Sequence, residues 1–559
     1  MATEMDRRAF LRTTLGAVGA LALGACQDSD DTSTTATSAG PAPRPTLRLP
    51  STDAGFPSPF AYSVGPGYFR MSYIYDTLLW SDATGKLLPW LASRWDRSPD
   101  GLTYTFELRD NVTFHDGHPL TPDDVVFSFD YFKAQSARIP PFVIGRPEGI
   151  AHVRATGGRS VEIRLEQPIV TFAPAQAGFV PIMPKHIWSL VPDPSRALDP
   201  NLLVGSGPYR LESYRRGEGS YSYNANDGYF LGRPFVKRLE LRPVGDDLTA
   251  LLAGELDAAS PPPTGARPDA LAPFRADPSF GTIKGPLDLT LALYWNGAKG
   301  GALGDPRFRH ACARAIDRRD VMRRMVGGNG EPGNPGFLPP DHPFHVGDVE
   351  GYPFDPAAAN QLLDEAGYRR TGPDGPRQGP DGTLLRFPLL ASTEITPVVD
   401  LVTNSLKAVG VELTVQPVQQ AQVVPNMTFG LYDMAIVTYG NLSGDPGYMR
   451  TLYSSKLPKF FHGARGYVNP EFDDLADRQR LTFDEAERRR MVAQMQRIVA
   501  RDIPFLHLYY PTSFFVFNKR AFDQWTFARA SNGFLSSPFN KQIFVTGSKA
   551  GGLTIRPGT

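Results

Sequence analysis

At Asp305 the hydrophobic pattern of the chain changes period, and a single repeated layer cannot accommodate both halves. Before it, residues 102–108 alternate polar and apolar side chains, then turn at Asp110-Asn111 into Val112-Thr113-Phe114. That is the signature of an antiparallel hairpin. Thr121-Pro122-Asp123-Asp124 predicts a helix start, with proline at the first position where a missing N–H costs nothing. Residues 220–244 read as antiparallel strands around Asn226-Asp227-Gly228. Beyond Asp305, helices alternate with strands. Asp355-Pro356 opens a helix that Gly367 closes, and residues 397–409 predict another. Residues 411–418 predict a strand, 426–430 a connector and 432–439 a buried strand. A helix over 484–500 presents Val492, Met495 and Val499 on one face, and an apolar strand follows at 505–510. The expected fold class is therefore mixed α/β, with β-rich sequence preceding an α/β lobe.

The N-terminus sets the compartment. Arg7-Arg8-Ala9-Phe10-Leu11-Arg12 leads into an apolar run over 13–23 that ends at Leu23-Gly24-Ala25-Cys26. A basic segment, a short apolar core and a small-residue exit make a secretory signal, too short to span a bilayer. Arg7 and Arg8, followed by Phe and Leu, resemble a twin-arginine export signal. Leu-Gly-Ala-Cys resembles a lipobox, which makes Cys26 the acylated residue of a lipoprotein held on the membrane by its acyl chains. Residues 27–45 contain no large apolar side chain and predict a flexible tether.

About 500 residues remain, too many for one core. Lys and Arg total 58 and Asp and Glu total 58, so the chain has no basic surplus to neutralise nucleic-acid phosphates. Cys312 is the second of two cysteines, and with Cys26 lipidated it has no disulfide partner. Phe308, Ala311, Cys312, Ala315 and Ile316 share one helical face, which predicts a core cysteine and not a reactive thiol. His115 and His118 flank Asp116-Gly117 with a spacing that invites a metal reading. Pro119 and the capping Thr121 point instead to a packed hairpin end, so no metal or cofactor is expected. No Gly-x-Ser-x-Gly elbow or His-Glu-x-x-His helix is present, which counts against an exported hydrolase.

Several blocks occur in a fixed order: Leu88-Pro89-Trp90-Leu91-Ala92-Ser93-Arg94-Trp95, Asp100-Gly101-Leu102-Thr103-Tyr104-Thr105-Phe106, and Leu108-Arg109-Asp110-Asn111-Val112-Thr113-Phe114-His115-Asp116-Gly117 on through Val125. Gly205-Ser206-Gly207-Pro208-Tyr209, Gly254-Glu255-Leu256-Asp257, residues 305–317 and residues 362–367 follow. In this order they resemble the extracellular solute-binding proteins of family 5, the dipeptide, oligopeptide and nickel binding components of ABC importers. The resemblance implies a two-lobed, periplasmic-binding-protein-like class II fold with a third inserted domain and a hinge. The layout it implies is signal 1–26, tether 27–45, first lobe 46–75 and 186–284, inserted domain 76–185, second lobe 285–505, and return segment with tail 506–559. It implies a monomeric, non-enzymatic receptor at the periplasm or cell surface that passes a small-molecule or peptide-like solute to ABC permease subunits. A lipoprotein that hands its signal to a receptor is the other function compatible with these features.

Ligands of open α/β sheets bind beyond the carboxyl ends of strands, here the end of 432–439 and the loop Gly440-Asn441-Leu442-Ser443-Gly444-Asp445-Pro446. In dipeptide and oligopeptide binders, an aspartate three residues before the acidic-Pro pair takes the peptide ammonium. Leu442 holds that position here and cannot neutralise a buried charge. The arginine that takes the ligand carboxylate in dipeptide binders falls, by count, in 389–396, where there is none. The expected solute is therefore not a zwitterionic dipeptide held by its termini. Tyr439, Asn441 and Tyr448, with Trp295 and Asn296 from an earlier strand, are expected to stack on it and donate neutral hydrogen bonds. Asp445 completes the candidate set, chiefly as a turn former.

Overall fold

Residues 45–62, 67–82, 84–136, 147–260, 262–440, 442–459, 462–527 and 538–547 are described by the computed structural model. Arg7, Arg8, Cys26, residues 27–44 of the tether and Asn441 lie outside the described residues. Two four-stranded sheets carry much of the first half. In one, Leu47–Pro50, Arg238–Arg242, Ser220–Ala225 and Tyr209–Arg215 lie side by side in that order, the first pair parallel. In the other, Ala92–Arg97, Thr103–Leu108, Ser160–Leu165 and Ile150–Gly157 are antiparallel throughout.

The hairpin expected over 102–114 does not form. Both edges of Thr103–Leu108 are taken by 92–97 and 160–165, so 112–114 has no edge to join and makes only the bridge Thr113 to Pro119. The helix after it does form, over Pro122–Ala134, and the backbone N–H of Thr121 donates to the Asp124 carboxylate at 2.9 Å.

The second half is organised by a six-stranded sheet in the order Gly330–Pro332, Phe505–Pro511, Thr290–Trp295, Met434–Tyr439, Arg386–Ser392, Glu412–Val418. Thr290–Trp295 runs antiparallel to both neighbours, and Arg386–Ser392 runs parallel to both of its own. Alternation sends Leu291, Leu293 and Trp295 into one core with Phe308, Cys312 and Val402. Ala292 and Tyr294 enter another, with Tyr439, Tyr453, Val492 and Phe505. Because both faces are covered, the central strands read as continuous apolar runs. Burial pushes the Cys312 thiol well above its ordinary range, as befits a core residue. Residues 426–430, expected as a connector, are instead the end of the helix Gln420–Phe429 and its left-handed cap Gly430. Pro425 inside that helix removes a backbone donor and disguises it in the sequence.

The chain passes twice between the sheets of the first half and the six-stranded sheet. One crossing joins Phe280–Lys284 to Thr290–Trp295, and the other joins Phe505–Pro511 to Phe514–Asn518. The backbone N–H of Gly285 donates to Ser513 O at 2.9 Å, coupling the crossings. Phe514–Asn518 then pairs with Phe280–Lys284 and Ala258–Ala259. Ile543, Phe544 and Val545 are buried in the first lobe's core. A second junction lies elsewhere. Val170 N–H donates to Arg480 O at 2.9 Å, and the Arg97 guanidinium sits 3.8 Å from the Phe483 ring centroid. Gly101, at φ +71°, leaves room for that ring, since a Cβ there would come within 2.7 Å of it. Among the described residues no helix is long and apolar enough to cross a membrane.

Candidate ligand cleft

A cavity of about 630 Å³ opens between the lobes. Arg70, Tyr73, Asp246 and Asp247 line it from the first lobe, and Leu289, Glu394 and Thr512 from the second. The second-lobe residues share a structural reason. Leu289 directly precedes the strand Thr290–Trp295, Thr512 directly follows Phe505–Pro511, and Glu394 lies just past Arg386–Ser392. The cavity therefore sits beyond the carboxyl end of a parallel strand, where open α/β sheets bind their ligands.

Carboxylates outnumber cations on these walls. The Arg70 guanidinium is committed, donating to Ser51 Oγ at 2.9 Å and Thr52 O at 3.1 Å and lying 4.8 Å from the Tyr221 ring centroid. Asp246 caps the helix Asp247–Leu252, accepting from Thr249 N–H at 2.7 Å. The side chain and backbone of Thr249 hold its carboxyl below the usual range. Asp247 behaves oppositely. Burial, reinforced by the neighbouring Asp246 charge and partly offset by a Ser260 backbone hydrogen bond, pushes its carboxyl up to about 6. Glu394 is exposed at the mouth, its backbone N–H held by Ser392 Oγ at 3.2 Å. A positive group entering here would meet two or three carboxylates and no free cation among these wall residues.

The loop after Met434–Tyr439 is bound tightly to the protein itself. Leu442 is 1% exposed, and its N–H donates to Asp288 O at 3.2 Å. Ser443 donates from both N–H and Oγ to Asp288 Oδ1, at 2.9 and 2.5 Å. Asp445 accepts from Gly447 N–H at 2.7 Å and from Arg488 at 2.6 Å, which makes it a turn anchor held by an ion pair. The Tyr439 ring packs 4.3 Å from His462, and the Tyr448 ring 6.3 Å from Phe337. Tyr439, Leu442, Asp445 and Tyr448 thus gather at one end of the sheet, while the 630 Å³ cavity is lined by other residues.

Trp295 and Asn296 are not brought to that end. Thr290 pairs with Tyr439 and Trp295 with Met434, so the antiparallel register puts the Trp295 end about 17 Å from Tyr439. Asn296 donates to Gly430 O and Tyr432 O, at 3.2 and 2.9 Å. Trp295 lines a separate cavity of about 310 Å³ with Arg309, Tyr467 and Asp502. Among the cleft residues, sequence reasoning missed Arg70, Asp246, Asp247 and Glu394. Glu394 had a signal, since it lies inside the 389–396 window searched for an arginine. The first-lobe acids had none, because only long-range packing carries them to the cleft.

A family description, bacterial extracellular solute-binding proteins, family 5 middle, matches residues 86–460. The oligopeptide-binding protein AppA of Bacillus subtilis is 27% identical over 438 residues, covering 74% of this chain and 76% of its own length. The dipeptide-binding protein of Escherichia coli is 25% identical over 484 residues, covering 82% and 87%. Among solved structures, a periplasmic oligopeptide-binding protein of Thermotoga maritima superposes with a TM-score of 0.75 at 23% identity, covering 90% and 98% of the two chains.

Proposed function

Because the chain belongs to the bacterial extracellular solute-binding proteins of family 5, we propose that its interlobe cavity captures a solute bearing a positive group, not a zwitterionic dipeptide gripped by its termini. The chain is a non-enzymatic binding component of an ABC importer. The observation that carries the ligand reading is the wall of Asp246, Asp247 and Glu394 facing a committed Arg70. Leu442, at the position where dipeptide and oligopeptide binders place an aspartate, supports it. Calorimetry with a panel of lysyl and arginyl peptides, polyamines and neutral dipeptides tests it. N-acetylated lysyl amides should bind in the micromolar range, about −8 kcal/mol. Binding of neutral dipeptides that vanishes on acetylation of the amine would overturn the reading.

The raised Asp247 carboxyl adds a pH signature. Below about pH 6 the free protein holds the proton, and a cationic solute must displace it. Affinity should therefore climb from about pH 5 to about pH 7, and Asp247→Asn should flatten the climb. In the ligand-free fold the sign is opposite: a carboxyl raised on folding favours the folded state at low pH, and that contribution is lost as pH rises through about 6. A flat parent titration would remove Asp247 from the site.

Capture is coupled to closure because the closed lobes make contacts the open ones lack. We propose that the Arg97–Phe483 contact, away from the cavity walls, is one that closure makes. Phe483→Ala should weaken solute affinity by about 1–2 kcal/mol, or roughly five- to thirtyfold, without touching solute. Unchanged affinity would show that this junction plays no part in closure.

In the layout with first lobe 46–75 and 186–284, inserted domain 76–185 and second lobe 285–505, the crossing at 285–289 supports the start of the second lobe, while the crossing at 512–513 favours extending it from 505 to 511. Export through Arg7-Arg8 and anchoring through Cys26 rest on the sequence. Cys26→Ser should release the protein from membranes into the soluble fraction.

A further inference from the structure

We propose that Asp116, His118 and His186 form a surface site for a borderline divalent metal ion such as Zn²⁺ or Ni²⁺, separate from the interlobe cavity. The three side chains offer ligand atoms that all lie within 4.8 Å of one another, the one such group among the described residues. His186 Nε2 lies 2.7 Å from Asp116 Oδ2, and His118 Nδ1 lies 3.2 Å from the same oxygen. The two imidazole centroids are 4.1 Å apart. Zinc bonded to nitrogen and oxygen at about 2.0–2.1 Å in a tetrahedron needs ligand atoms about 3.3–3.4 Å apart. Small movements of three exposed side chains meet that requirement.

The scaffold beneath them is firm. Asp116 and His118 flank Gly117, at φ +89°, in the turn between Thr113 and Pro119. His115 pins that turn: its N–H donates to Gly205 O at 2.8 Å and its Nε2 lies 3.0 Å from Gly207 O. His186 starts from another segment. Asp124 Oδ1 accepts from the backbone N–H of Lys185 at 2.9 Å, and Trp188 is fully buried, so His186 is held on both sides. The backbone N–H of His118 donates to Asp116 Oδ1 at 3.1 Å, orienting the carboxylate while Oδ2 faces the imidazoles. Two imidazoles with one carboxylate select zinc, nickel or copper over magnesium or calcium, and leave a fourth position for water. Sequence spacing paired His118 with His115. The fold buries His115 against carbonyls and supplies His186 instead.

Equilibrium dialysis of the full chain against Zn²⁺ alone, with metal counted by mass spectrometry, tests the site. One equivalent should bind, and Asp116→Asn, His118→Ala and His186→Ala should each weaken it by about tenfold or more. His152→Ala, an exposed histidine in the strand Ile150–Gly157 and not among the three ligands, should leave it unchanged. Zinc should also raise the melting temperature of the parent but not of His186→Ala, with circular dichroism checking that the variant is folded. Zinc retained by both histidine variants, or no zinc bound by the folded parent, would overturn the proposal.

Discussion

Replacing Lys541 by alanine is expected to cost about 3–5 kcal/mol of stability, because it strands a charge in a dry interior. The side chains of Lys541 and Asp76 are both 0% exposed, with Nζ 2.5 Å from Asp76 Oδ1. Nζ also donates to Tyr75 O at 3.0 Å and lies 4.4 Å from the Trp80 ring and 5.5 Å from the Trp90 ring. Asp76 further accepts from Trp90 Nε1, Ser206 Oγ and the Tyr229 hydroxyl, at 2.8, 3.0 and 3.1 Å. Burial lowers the Lys541 pKa, and Asp76 opposes that shift. Those three neutral donors cannot replace the lost cation. Lys541→Met combined with Asp76→Asn should recover part of the loss, since a buried ion pair is costly to break but not to replace whole. Urea unfolding measures both. A Lys541→Ala protein within about 1 kcal/mol of the parent would mean that water reaches this pair in solution.

Arg488→Met should be nearly as severe, and its effect should reach the loop beside the cleft. The Arg488 guanidinium donates to Asp445 at 2.6 Å, to Gln479 O at 3.1 Å, and to Gln479 Oε1 at 3.0 and 2.9 Å. Gln479 is 0% exposed and the Asp445 side chain 14% exposed, so methionine takes the charged donor away from a largely buried carboxylate and amide. The expected loss is about 2–4 kcal/mol. Asp445 also holds the turn to Gly447, so amide exchange over 442–449 should quicken when Arg488 is gone. Unchanged exchange there would show that the Asp288 contacts to Leu442 and Ser443 suffice to hold the loop.

How much of this was legible beforehand depended on the range of the interactions. The helices Pro356–Glu365, Thr396–Ala408 and Glu485–Asp502 announce themselves through local caps and spacing, with Asp355 and Asp484 each accepting from a backbone N–H of the first turn. The strand Met434–Tyr439 is visible as a short apolar run. Pairing is a different matter. Strand direction decides whether Trp295 sits beside Tyr439 or a strand length away, and six consecutive buried residues carry no mark of direction. The same gap hid the edges already filled around Thr103–Leu108. At the cleft, Leu442 and the missing arginine were readable as departures from a motif. The acids that line the cavity belong to no motif, so only the folded chain brings them together.

Lys541 reaches Asp76 across 465 residues of chain, so the core around Asp76 is completed only by a segment distant in sequence. Until that stretch emerges from the ribosome, the carboxylate waits among tryptophan and tyrosine side chains without its counter-ion, and the surrounding core cannot set. For those 465 residues of synthesis the nascent core is exposed to chaperones and proteases. A chain truncated before Lys541 should be cleared by the cell faster than the parent, because Asp76 then has no buried counter-ion.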